Sequence, residues 1–146
     1  MTDNPVEEGR SNQIHWSFWL ISGIAFIWNL MGALNFMVQL DPEMVAAYRE
    51  SERIIIQSRP MWATAGFALA VFGGTIGALL MLFKRAVAYQ LFIASLLGVL
   101  ITMAHSLTSD IAFGMGEIIG IILMPVLFAG FLIGYSRLIT LKNWLK

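Results

Sequence analysis

Four long apolar stretches, separated by short segments that hold nearly every charge, constrain this chain more than any other feature. They run over residues 16–40, 60–83, 86–107 and 111–136. Each approaches or exceeds the roughly 20 residues a helix needs to cross about 30 Å of hydrocarbon. None has a Lys or Arg in its interior, as insertion requires when a central charge costs about 2.5 to 3.5 kcal/mol. The expected fold is all-α: a four-helix transmembrane bundle forming one integral membrane domain over residues 1–146.

The 58% hydrophobic content exceeds the roughly 45 to 50% of a soluble domain, and 146 residues are too few to hide four all-round apolar helices from water. The zero net charge and lack of a basic block give no sign of a nucleic-acid partner. With no Cys, disulfides, thiolate metal sites and cysteine nucleophiles are excluded. Asp3, Glu7 and Glu8 against the lone Arg10 do not make the basic region of a cleaved signal, so the first helix is expected in the mature protein.

The loops set an expected orientation. Arg10, Lys84, Arg85, Arg137, Lys142 and Lys146 lie on one side, and Arg49, Arg53 and Arg59 on the other. By the positive-inside rule both termini face the cytoplasm. Trp16, Trp19, Tyr89, Tyr135 and Trp144 fall near the inner boundary and Trp62 near the outer one, as interfacial anchors do; Trp28 falls near mid-bilayer. His15, beside Trp16, is expected to fill the interface.

Asp41-Pro42-Glu43 has the form of an N-cap, an N1 proline and a first-turn acid. Met44, Val45, Tyr48 and Ile55 follow at helical spacing, which predicts a short amphipathic helix over about 42–57 on the outer membrane face. It should stop near Ser58, because Pro60 resists continuation. The short link Phe83-Lys84-Arg85-Ala86 predicts an antiparallel hairpin. Thr108-Ser109-Asp110 is the expected cap of the fourth helix, and Pro125 should kink that helix.

Gly66, Ala70 and Gly74 recur every four residues on the second stretch, with Gly73 and Gly77 as a second pair. Ala94 and Gly98, then Gly130 and Gly134, repeat the spacing on the third and fourth. Small residues at this interval let helix backbones approach closely, either within the bundle or at a homodimer seam.

Few residues carry chemistry. Asn35, Thr64, His105, Asp110 and Glu117 gather at the outer ends of the helices, where they can bind a cation, relay a proton or hydrogen-bond a polar solute. Equally, His105 and Asp110 can sit in the headgroup layer, and Glu117 can stabilise a helix N-terminus. Asn29, near mid-bilayer, is either interhelical glue or a contact for a polar ligand with Trp28 as an apolar wall; both place it facing the interior. One outer His and scattered acids lack the spacing of a zinc or di-iron site. No metal or cofactor is implied.

The run PMWATAGFALAVFGG at 60–74, with WNLMG at 28–32, LF at 91–92, SLLGV at 95–99, MP at 124–125, YS at 135–136 and NWL at 143–145, resembles a family of small four-helix bacterial inner-membrane proteins. Some members carry the name "sugar transporter". The likeness covers nearly the whole chain from about residue 16 and is most specific at 60–74. It implies the four-helix topology and an inner-membrane location, and brings no functional residues with it. Members often have Gly-Trp where this chain has Asn143-Trp144.

Three functions are compatible with these features: a transport-related protein for a sugar or another small polar solute, acting as an oligomer; a non-catalytic accessory or scaffold subunit docked on a larger membrane complex; and a membrane enzyme using His105, Asp110 and Glu117 as acid and base. The third lacks an accompanying nucleophile or metal set.

Overall fold

The computed structural model describes residues 14–109 and 113–146. Helix α1 spans Trp16–Val38, α2 Pro42–Val45, α3 Glu50–Ser58, α4 Met61–Leu82 and α5 Ala88–Thr108. Helix α6 spans Met115–Leu141 and is π-helical over Ile118–Leu123. The described residues contain no strand. Helices α1, α4, α5 and α6 are each long and apolar enough to cross a membrane, and the chain is a multi-pass membrane protein built as an all-α four-helix bundle. Large apolar side chains such as Ile24, Leu34, Ile76, Leu97 and Phe131 stand exposed on the outside of the bundle, where lipid is the natural solvent. Several hydroxyls are satisfied within their own helices: Thr75, Thr102, Ser106 and Thr140 each donate to the carbonyl four residues back, which suits a medium with no competing water.

Helices α4 and α5 form the expected antiparallel hairpin and the closest pair. The turn between them leaves α4 through Lys84, at φ 59°, with Lys84 N–H donating to the Met81 carbonyl and Arg85 N–H to the Leu80 carbonyl. This is a Schellman closure. The end of α6 repeats it: Asn143 takes φ 56°, while Asn143 and Trp144 N–H donate to the Thr140 and Ile139 carbonyls. Asn is the residue after Gly that best tolerates this left-handed geometry. The C-terminal residues then pair with the α4–α5 turn, Ala86 N–H to the Lys146 carbonyl at 2.8 Å and Lys146 N–H to the Lys84 carbonyl at 2.7 Å.

The core is concentrated at this terminal end. Phe18 and Ala25 of α1, Ala78 and Met81 of α4, Ala88 and Phe92 of α5, and Leu132 and Ile139 of α6 form one buried cluster with Leu145. Trp144 meets Phe18 edge to face at 6.2 Å. The opposite end, which carries the loop between α1 and α4 (the loop-1 end), is built differently.

Four expectations are corrected. The loop-1 segment is two short helices, with a turn at 46–49 between them, instead of one over 42–57. Asp41 caps the first as expected, its Oδ1 accepting from Glu43 N–H at 2.9 Å; Val45 and Ile55 are its buried contacts. Helix α6 starts at Met115 instead of residue 111 and continues to Leu141 instead of Ser136. Thr108 and Ser109 do not cap it: their hydroxyls bond back to the Ala104, His105 and Ser106 carbonyls at the end of α5, while Asp110 lies outside the described residues. Pro125 has no N–H for the Ile121 carbonyl, and the preceding turns widen to π geometry, with Met124 N–H reaching Ile119 five residues back. Finally, His15 is a helix cap, its Nδ1 accepting from Ser17 N–H at 3.3 Å.

The small-residue positions divide in two. Gly66, Ala70, Gly73, Gly74, Gly77 and Gly98 are all buried, and a Cβ at Gly98 would meet the Ala70 nitrogen and the Gly66 carbonyl at 2.5 Å. Ala94 is half-buried. Gly130 and Gly134 are exposed with open space around them, so they pack no helix within the chain. Their spacing is the same, but they lie on the face of α6 turned away from α5.

Candidate functional site

Above the terminal core the bundle opens into a cavity of about 510 Å³, within the range of small-molecule sites. Phe92 and Leu132, members of the core cluster, line its deep end; Gln39, Tyr48, Glu52, Ile55 and Arg59 line it at the loop-1 end. Backbone packing closes three sides, α1 against α4, α4 against α5 and α5 against α6, whereas α1 and α6 do not approach closely. Trp28 of α1 and Phe128 of α6 bridge that fourth side, ring centroids 5.0 Å apart. The π-helical turn contributes Gly120 and Ile121, and Pro125 follows them on the same wall; π segments recur at functional sites.

Asn29 stands at mid-depth and faces the interior. Its Nδ2 donates to the Ala25 carbonyl at 2.8 Å, and its Oδ1 lies against Gly74, where any Cβ would overlap it. Gly74 is therefore small to admit the amide. Beside it, Ser95 Oγ donates to the Ala70 carbonyl at 2.6 Å, a hydrogen bond between α5 and α4 at the point where their backbones are nearest. Asn29's own recorded bond lies within α1, so the interhelical link at this depth comes from Ser95.

At the loop-1 end three side-chain bonds tie the loop-1 segment to the spans and their ends. Tyr48 Oη donates to Asn35 Oδ1. Ser51 Oγ donates to Glu117 Oε1, and Glu117 Oε2 accepts from Gly114 N–H at 2.8 Å; the carboxylate thus caps α6 and anchors α3 together. Arg59 Nη1 donates to Gln39 Oε1 at 2.9 Å. The Arg59 guanidinium also lies 4.8 Å from the centre of the Phe67 ring, and its buried Nε has no partner among the described residues. Burial pushes the Arg59 side chain below its ordinary pKa, a direction that reflects the cost of keeping a cation away from water.

Of the residues singled out from the sequence, Trp28, Asn29 and Asn35 line this cavity, and Thr64, His105 and Glu117 do not. Thr64 bonds to the Pro60 carbonyl in the first turn of α4. His105 is buried edge-on against Trp62 at 6.0 Å, its Nε2 without a partner among the described residues. The described residues hold no group of three or more His, Cys, Asp or Glu side chains placed to bind a metal. Sequence inspection missed Arg59, Gln39 and Ser95. Arg59 had one available signal: it abuts Pro60 at the membrane boundary, seven positions from the nearest preceding acid, Glu52. Comparison with known proteins finds no matching family model, no matching curated protein and no matching solved structure.

Proposed function

We propose that this is a small transport-related protein of the bacterial inner membrane, which admits a small solute from the outer side into the cavity between its four helices. The orientation comes from the charge distribution, with six basic residues on the side of the termini and three on the side of loop 1; the loop-1 end then faces outward. One observation carries the proposal: the bundle is plugged by aromatic and aliphatic side chains at the terminal end and hollow at the other, with an amide at mid-membrane depth. Intramembrane polar groups on a cavity wall are where membrane proteins place solute contacts. Among the described residues a single copy shows neither an inverted repeat nor the broken-helix pairs of self-sufficient transporters, and α6 is the one span there that departs from regular α geometry. The protein therefore works as an oligomer or beside a larger permease.

Proteoliposomes loaded for counterflow test this. Solute-dependent flux or saturable binding that disappears in Asn29→Leu supports it. Absence of both for sugars, cations and organic acids refutes it.

The open face of α6 favours an accessory role as the second function. Gly130 and Gly134 are uncovered beside exposed Leu127 and Phe131, a surface on which a partner helix can lie. Purification in a gentle detergent should then recover a stoichiometric partner, and recovery of the chain by itself argues against it.

A further inference from the structure

We propose that the cavity selects an organic anion with an apolar body, its charged head held by Arg59 and its body lying against the wall that Trp28 and Phe128 form together. The inference rests on the solute-binding function above and names the class of ligand.

The guanidinium is the centre of the case. A buried or half-buried cation normally finds a carboxylate, because an unpaired charge away from water is costly. Among the described residues Arg59 has instead an uncharged amide, Gln39, and the face of Phe67, and one buried donor is left over. An acceptor on the ligand completes the set, and the planar fork of Arg suits a two-oxygen head such as carboxylate or phosphate. Glu52 is the carboxylate on the cavity wall among the described residues; its like charge disfavours small multivalent anions and leaves a monoanion as the better match. Beneath the head, the walls are dominated by aromatic and aliphatic side chains, including Phe67, Phe92 and Phe128. A sugar ring would leave most of its hydroxyls unpaired there, at a cost for each. An alkyl or aryl body would not.

The full-length protein in phosphatidylcholine nanodiscs provides the test, with terminally brominated decanoate and terminally brominated decanol as probes and quenching of Trp28 as the signal. The acid should quench saturably, the saturable part should vanish in Trp28→Phe, and the alcohol should bind about tenfold more weakly, the scale of one charge-assisted hydrogen bond. Arg59→Gln should bring the acid down to the level of the alcohol and leave the alcohol within about twofold. If that variant does not fold, Arg59→Lys decides, with an expected loss of about threefold for the acid alone, because an ammonium keeps the charge without the fork. Equal affinity for acid and alcohol in the unmodified protein, or an unchanged acid affinity in both variants, overturns the anion selectivity while leaving solute binding intact. No saturable Trp28 quenching by either probe overturns this ligand class, and the counterflow assay with sugars, cations and organic acids then decides the solute-binding function separately. Repeating the titration with phosphatidylglycerol in the disc separates the two sources of such a head: displacement of the acid points to an anionic lipid, and persistence to a free acid, both within the proposed class.

Discussion

Replacing Gly98 by Ala adds one methyl group where the structure has no room for it. The new Cβ would sit 2.5 Å from the Ala70 amide nitrogen, 2.5 Å from the Gly66 carbonyl oxygen and 3.0 Å from the Ala70 Cα. All three are backbone atoms of α4, so no rotamer change relieves the overlap. Reaching the 3.4 Å of ordinary contact requires α4 and α5 to separate by about 0.9 Å, and overpacking of that kind costs about 1 to 3 kcal/mol. The same separation stretches the Ser95–Ala70 hydrogen bond, worth about 0.6 kcal/mol on average between membrane helices. Against this stands a gain of roughly 0.5 to 1 kcal/mol from removing a helical glycine. The net expectation is a loss of about 1 to 3 kcal/mol. Gly130→Ala is the matched control: nothing lies within 4 Å of its Cβ, so the propensity gain stands unopposed and stability rises by up to about 1 kcal/mol. Reversible unfolding in mixed micelles with increasing SDS, followed by circular dichroism, measures both. A Gly98→Ala protein as stable as the parent, or a Gly130→Ala protein that loses as much, would refute the assignment of which glycines close the bundle.

Other outcomes follow from the same geometry. Gly74→Ala should expel the Asn29 amide from the interior, lowering stability by about 1 to 3 kcal/mol in the same unfolding assay and weakening ligand binding together with it. Lys84→Gly should stabilise the α4–α5 turn by up to about 1 kcal/mol, since Lys pays for a left-handed backbone that Gly adopts freely; Asn143→Gly should change little. Glu52→Gln should strengthen binding of brominated decanoate by roughly two- to threefold, because it removes a like charge from the cavity wall, and a weaker complex in the quenching titration would contradict the role given to Arg59. Glu117→Gln should halve the anchoring of α3 and the cap of α6, raising hydrogen exchange at residues 50–58 without altering it in the α4–α5 hairpin.

Hydropathy made the four spans legible because the bilayer imposes one demand on every residue of a crossing helix, and residues 61–82 satisfy it with no charge at all. Boundaries were harder. The start of α6 is set by Glu117 reaching back to Gly114 N–H, a bond competing with the apparent cap at Thr108-Ser109-Asp110, whose hydroxyls are consumed by the end of α5. Gly98 and Gly134 share the same four-residue spacing with a small neighbour, yet one meets a backbone and the other open space; periodicity names a stripe and does not say which way the helix is rotated. The candidate site was half legible for a similar reason. Asn29 is conspicuous as an amide inside an apolar run, whereas Arg59 is one of three basic residues in its loop, and only the fold brings it beside Gln39 and Phe67.

The chain has no cysteine, so single cysteines report position without background. Asn35→Cys, exposed at the loop-1 end of the cavity wall, and Ser136→Cys, fully buried near the terminal end, can each be treated with a membrane-impermeant methanethiosulfonate added outside intact cells. The cavity account predicts rapid modification at 35 and none at 136. Modification at 136 with protection at 35 would contradict it.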